Sequence, residues 1–145
     1  TLEAQLAAID AVQAYERAAD VDAVARDIIT SYGYGAEFTH GLGHGLGLYI
    51  HMPPTLSPSS NEVLFESGDM TLTIGPGIYF DGEWGGRIED DVMVFRGGHE
   101  VITFFPKDLE SAILDGENVT NASGMGSETP STASRALFSR LIRHC

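Results

Sequence analysis

Over the first thirty positions, apolar residues recur at three- and four-residue spacing. Leu2, Leu6, Ile9 and Val12 mark one helical face, and Val21, Val24, Ile28 and Ile29 mark a second. Asp20 suits the N-cap of the second helix. Gly33, following Tyr32, suits its C-cap. From Gly41 the period changes. Gly41, Gly43, Gly45 and Gly47 are too dense for a helix and predict a loop or short strand with close backbone approach. Met52-Pro53-Pro54 and Ser57-Pro58-Ser59-Ser60 predict an exposed loop. Met70, Leu72 and Ile74 then alternate with Thr71 and Thr73, and Ile78-Tyr79-Phe80 resumes after Pro76-Gly77. Asp81-Gly82 is a turn signal. Ile88, Asp90, Val92 and Val94 make the next alternating run, stopped by Gly97-Gly98, and Val101 to Phe105 a last strand ended by Pro106. Two helices followed by an antiparallel meander is an α+β pattern.

Composition narrows the picture. The 145 residues suffice for one domain with a core, and 43% hydrophobic with 20% charged residues is a globular balance. The net charge of −13 argues against nucleic acid and anionic membrane as partners, since both need a basic surface. Lys107 is the sole lysine. An acidic, lysine-poor surface fits a protein from a salt-loving cell and equally an ordinary acidic cytosolic one. No apolar run approaches the roughly 20 residues of a membrane span. The sequence starts at Thr1 without a charged-then-apolar leader, which predicts a cytoplasmic protein, here a segment of a longer chain. The single cysteine, Cys145, excludes an internal disulfide and a cysteine-rich metal site.

The C-terminal stretch differs from the rest. In 111–145, Asp115, Glu117 and Glu128 balance Arg135, Arg140 and Arg143, so the net charge of the chain falls in 1–110. Asn, Ser, Thr and Gly dominate from Asn118 to Ser134, which predicts a disordered linker. Leu137, Phe138, Leu141 and Ile142 would make one short amphipathic helix, marginal without a partner. Asn118-Val119-Thr120 and Asn121-Ala122-Ser123 match the glycosylation sequon by chance in a chain without a leader. The domain organisation expected is therefore 1–110 and a tail of 111–145.

Two clusters could carry chemistry. His40, His44 and His51, three of the five histidines, lie among the glycines of 40–51. Imidazole is the commonest metal ligand, and glycine lets backbone approach a substrate or metal. The second cluster is Arg87-Ile88-Glu89-Asp90-Asp91. Alternation puts Glu89 and Asp91 on one face and Asp90 on the other. Three consecutive carboxylates suit a bound cation, or an edge strand whose charges discourage aggregation. A histidine loop with a carboxylate strand offers the mixed nitrogen and oxygen ligands of a hard or borderline divalent metal.

The ordered motifs His40-Gly-Leu-Gly-His44, His51, Thr73-Ile-Gly-Pro-Gly-Ile-Tyr79 and Gly86-Arg-Ile-Glu-Asp-Asp91 resemble those of the prolidase, Xaa-Pro aminopeptidase and methionine aminopeptidase family. Pro106-Lys107-Asp108-Leu109 is similar to the end of the Xaa-Pro branch's domain, so the resemblance runs from about Leu2 to Leu109. It implies half of a pita-bread fold, two helices followed by a curved antiparallel sheet. It implies hydrolysis of the bond before a proline at the second position of a peptide. Two divalent metal ions, manganese, cobalt or zinc, would share an attacking hydroxide. His44 and Glu89 match metal ligands. His40 matches a substrate-contacting histidine, His51 one that assists the tetrahedral intermediate, and Arg87 an arginine that orients the acidic cluster.

The sequence departs from this family at one motif position. The family has a metal-ligand glutamate where this chain has Gly75, which can neither coordinate nor accept a proton. Two aspartate ligands belong to strands ahead of the two helices. Of the family's ligand set this chain therefore carries His44 and Glu89. A lone half also exposes sheet edge and apolar face, and calls for the N-terminal half, a second copy or another partner. The alternatives to a metallopeptidase are an inactive pita-bread module that binds peptides or a protein, and a metal-free creatinase-like amidinohydrolase using His40 as acid–base.

Overall fold

A computed structural model describes residues 1–64 and 69–113. The tail helix at Leu137–Ile142, the linker, both sequons and Cys145 lie outside the described residues. The chain forms two compact units, one of 1–80 with 85–104, the other of 81–84 with the described residues from 105 onward.

Helix α1 spans Leu2–Ala11 and α2 spans Ala18–Ser31. The expected stripe of α1 is only partly the buried one. Ala4, Gln5, Ala8 and Ile9 are buried, whereas Leu6 is 48% exposed. Small alanine side chains let α1 approach its neighbours closely, so they and not the leucine face the core. Helix α2 starts earlier than expected. Arg17 is its N-cap and Asp20 lies in its first turn, 3.8 Å from Arg17. Its C-terminus follows expectation. Gly33 has φ +87°, its N–H bonds to Thr30 O at 2.9 Å, and Tyr34 N–H bonds to Ile29 O at 3.1 Å. Those two bonds close a Schellman motif, which glycine enters without a Cβ penalty.

Seven strands follow: β1 Gly43–Leu46, β2 Met52–Leu56, β3 Met70–Ile74, β4 Gly77–Phe80, β5 Trp84–Arg87, β6 Asp90–Phe95 and β7 Gly98–Val101. Five form an antiparallel sheet in the order β2-β1-β3-β6-β7, and β4-β5 form a separate two-stranded sheet. This is an α+β fold, but the sheet is not a simple meander, because β1 sits between β2 and β3. The proline-containing stretch expected as a loop is β2, an edge strand with Pro54 and Leu56 buried. An edge position tolerates proline because the missing N–H need not join the ladder. The final strand ends at Val101, not Phe105. In the second unit, Asp108 caps the short helix α3, Leu109–Ala112, by accepting from Ser111 N at 2.8 Å.

The core joins α1 and α2 to one face of the sheet through Val12, Val21, Ile29, Leu42, Leu56, Leu72, Ile74, Val92 and Val94. In β6, Asp90, Val92 and Val94 are buried, while Asp91, Met93 and Phe95 turn to the opposite face. Thr73 pairs with Asp91, and Thr71 with Met93 and Leu46, so these residues share that opposite face. No helix among the described residues is long and apolar enough to cross a membrane.

Candidate active site

His44 lies in β1 and is held from both ends of the residue. Its backbone N–H donates to Thr73 Oγ1 at 3.1 Å, and its ring Nδ1 lies 3.0 Å from the Gly45 carbonyl. A carbonyl only accepts, so Nδ1 is the donor in this contact and Nε2 faces away from it. The His51 ring packs edge-on against it, with centroids 4.4 Å apart. His51 itself is exposed, just after the exposed Leu48-Tyr49-Ile50 turn. Close backbone packing of β1 explains one glycine directly: a Cβ on Gly43 would collide with the Thr73 carbonyl.

His40 is set the same way. Nδ1 lies 2.7 Å from the Gly41 carbonyl and Nε2 lies 3.0 Å from the Tyr79 hydroxyl. Nδ1 therefore donates and Nε2 accepts the phenolic proton. Burial is the main reason the imidazole pKa falls below its ordinary value. The Gly41 carbonyl and Glu89 oppose the shift, while Arg87 and Arg26 add to it. Tyr79 reaches His40 because two glycines make room. A Cβ on Gly77 would strike the Tyr79 hydroxyl, and one on Gly85 would meet the Tyr79 ring edge at 2.5 Å. Gly77 and Gly85 thus serve a tyrosine that the sequence analysis left out of the site.

Glu89 and Gly75 converge on one point. A Cβ built on Gly75 would stand 2.7 Å from Glu89 Oε1 and 2.8 Å from its carboxyl carbon. The other oxygen, Oε2, lies 3.4 Å from Arg87 Nε, an ion pair without a hydrogen bond. Asp90 is buried toward the core, whereas Glu89, just ahead of β6, is exposed and Asp91 is half-buried. Asp90 accepts from Gln5 Nε2 at 2.9 Å and from Thr103 Oγ1 at 2.7 Å. Asp91 has a raised pKa, first from burial, then from the Glu89 and Asp90 charges, with His44 pulling it down.

The structure thus groups His40 with Tyr79, Arg87 and Glu89, and His44 with His51 and Asp91. Among the described residues, no three His, Cys, Asp or Glu side chains are placed to hold one ion. The helical periodicity also passed over Asp22 and Arg26 of α2. Their signal is an aspartate at zero exposure on an apolar helix face, one turn before an arginine. A separate cleft of about 620 Å³, lined by Asp10, Tyr15, Arg96 and His99 among others, shares no residue with either group.

Residues 1–95 match the model of metallopeptidase family M24. An uncharacterised peptidase of Staphylococcus haemolyticus is 48% identical over 106 residues, 73% of this chain and 30% of the relative. The chain therefore spans about 30% of the length of the curated relatives it matches. A prolidase from Pyrococcus furiosus superposes with a TM-score of 0.69 at 43% identity, covering 73% of this chain and 31% of that one. A Bacillus anthracis Xaa-Pro dipeptidase gives 0.70 at 47% identity, covering 74% and 30%. A methionine aminopeptidase from Rickettsia prowazekii, at 19% identity and a TM-score of 0.57, shares the fold alone. The α+β architecture is that of half of a pita-bread fold, similar to its C-terminal half. With residues 1–95 matched by the family model and a relative 48% identical over 106 residues, this chain belongs to metallopeptidase family M24.

Proposed function

We propose that this chain is the substrate-recognising part of a prolidase-type M24 catalytic domain, spanning 1–110, and that Gly75 impairs its hydrolysis. The substrate would be a dipeptide or short peptide with proline at the second position, as the names of the similar prolidase and Xaa-Pro dipeptidase suggest. The fold would be completed by an N-terminal half or by a second copy, in the cytoplasm. His40 would contact the substrate through its ring, His51 would offer a second imidazole beside His44, and Arg87 would hold Glu89.

The observation that carries the reading is the position of Glu89 against Gly75. A metal pair of manganese, cobalt or zinc is what the family resemblance implies, with His44 and Glu89 among its ligands. The residues of this chain do not by themselves fit it. The side chain that would stand at position 75 is absent, and the Glu89 carboxylate lies over that space while paired with Arg87. The guanidinium beside Oε2 would compete with a cation for that oxygen. This geometry also favours a second reading, an inactive module that still binds peptides.

Titrating the chain with an Xaa-Pro dipeptide, with and without manganese, cobalt or zinc, separates the two. Metal-dependent release of proline supports the impaired peptidase. Binding by calorimetry with no release under any metal supports the binding module. Neither binding nor release would overturn both.

A further inference from the structure

Asp22 is fully buried, and a buried carboxylate is costly unless paired and hydrogen-bonded. Arg26, one turn later on α2, provides the pairing. Its Nε and Nη2 donate to the two carboxylate oxygens at 2.7 and 2.9 Å. The bonds do not stop at the helix. Arg26 Nη1 donates to the Phe38 carbonyl at 3.0 Å, and Nη2 donates to the His40 carbonyl at 2.8 Å. The guanidinium carbon lies 4.1 Å over the Phe38 ring centroid. Asp22 Oδ1 accepts in turn from Leu42 N–H at 2.9 Å. One turn of α2 thereby grips the backbone before, at and after His40.

The contrast with Arg17 and Asp20 on the same helix is informative. That pair is exposed, 3.8 Å apart, with neither side chain hydrogen-bonded to the 38–42 segment. Pairs of that kind contribute only a few tenths of a kcal/mol to a helix. The buried pair uses a planar fork with several donors, which a lysine could not reproduce.

We propose that Asp22 and Arg26 are positioning residues that set the tautomer and direction of the His40 ring. The path is short. The bonds at His40 O and Leu42 N–H fix the two peptide planes that flank Gly41. They therefore aim the Gly41 carbonyl at His40 Nδ1, 2.7 Å away. With Nδ1 protonated, Nε2 is left as the acceptor that faces Tyr79. Only the catalytic meaning of this device rests on the functional reading of His40. The positioning itself does not.

The test is nitrogen-15 NMR of the histidine side chains in the 145-residue chain. Arg26→Lys keeps a cation beside Asp22 but loses the fork. It is expected to turn the single Nδ1–H form of His40 into a mixture of both tautomers. Asp20→Asn, which breaks the exposed pair on the same helix, is expected to leave the His40 signals unchanged. A folded Arg26→Lys chain with native His40 nitrogen shifts would overturn the proposal, as would an equal change in Asp20→Asn. If Arg26→Lys does not fold, hydrogen exchange in the unaltered chain decides. The Leu42 amide is expected to exchange as slowly as the interior amides of α2, and exchange at the rate of an open loop would overturn the proposal. A chain that meets these expectations yet binds no Xaa-Pro peptide refutes the functional reading alone.

Discussion

The Tyr79 hydroxyl and His40 Nε2 stand 3.0 Å apart, joining the two-stranded β4-β5 sheet to the segment ahead of β1. Because Nδ1 is committed to the Gly41 carbonyl, the tyrosine is the donor in this bond. Tyr79→Phe removes that donor and leaves the ring in place. The expected loss of stability is about 0.5–1.5 kcal/mol, read from urea unfolding. The Nδ1–H tautomer is expected to persist, since the Gly41 carbonyl still holds it. Loss of that tautomer in the phenylalanine variant would mean that the hydroxyl, not the carbonyl, selects it.

The space above Gly75 makes two variants informative. Gly75→Ala places a Cβ 2.7 Å from Glu89 Oε1, the movable end of a side chain, so the carboxylate shifts aside. Its stability is expected to stay within about 1 kcal/mol of the original, because alanine also restricts the unfolded chain. Gly75→Glu instead sets a second carboxylate against Glu89. It is expected to lower the melting temperature without metal, through like-charge repulsion. Manganese is expected to restore it, by about 2.7 kcal/mol at a hundred times the dissociation constant. The Gly75 chain is expected to show no comparable rise. Equal manganese responses in the two chains would count against the assignment of position 75 to the metal site.

Burial lowers the His40 pKa from its ordinary 6.5, with Arg87 and Arg26 adding to the effect. The sign of the pH dependence follows. Above 6.5 the ring is neutral in both folded and unfolded chains. As pH falls, the unfolded ring takes up a proton before the folded one does. This contribution to stability is therefore lost from about 6.5 downward, through the lower folded value. His40→Gln is expected to flatten that part of the stability–pH curve. An identical slope in both chains between neutral and mildly acidic pH would show that His40 is not responsible.

Asp90 ties the end of β3 and α1 to the segment after β7. Gln5 Nε2 and Thr103 Oγ1 both donate to it, at 2.9 and 2.7 Å. Asp90→Ala leaves the buried Gln5 amide, which keeps the Ile74 carbonyl, and the half-buried Thr103 hydroxyl without that acceptor. The expected cost is about 2–4 kcal/mol, from the penalty of each orphaned group. Asp90→Asn keeps a carbonyl oxygen as acceptor and is expected to lose clearly less. Equal losses would mean that the carboxylate charge, not the hydrogen-bond geometry, matters here. Chemical unfolding of both variants resolves the difference.

Local pattern alone located both helices, the Gly33 cap, the alternating strands β3 and β6, and the split of Asp90 from Glu89 and Asp91. Each of these depends on neighbours within a few residues, where a period of 3.6 or 2 reports the geometry directly. The resemblance of the ordered motifs placed His40, His44, His51, Arg87 and Glu89 in one family site. Leu6 lies on the periodic stripe that marked α1 yet is exposed, because which positions are buried depends on how closely another element approaches. Local pattern misread β2 as a loop, because whether a proline stretch can be a strand depends on whether it lies at a sheet edge. The functional detail required the folded chain. Tyr79 meets His40 across 39 positions of sequence, and Asp22 meets Leu42 across 20. Gly75 opens a space that only the register of β3 against β6 and the course of the chain just before β6 bring to Glu89. Such contacts are set by packing between distant segments, and no local period carries information about them.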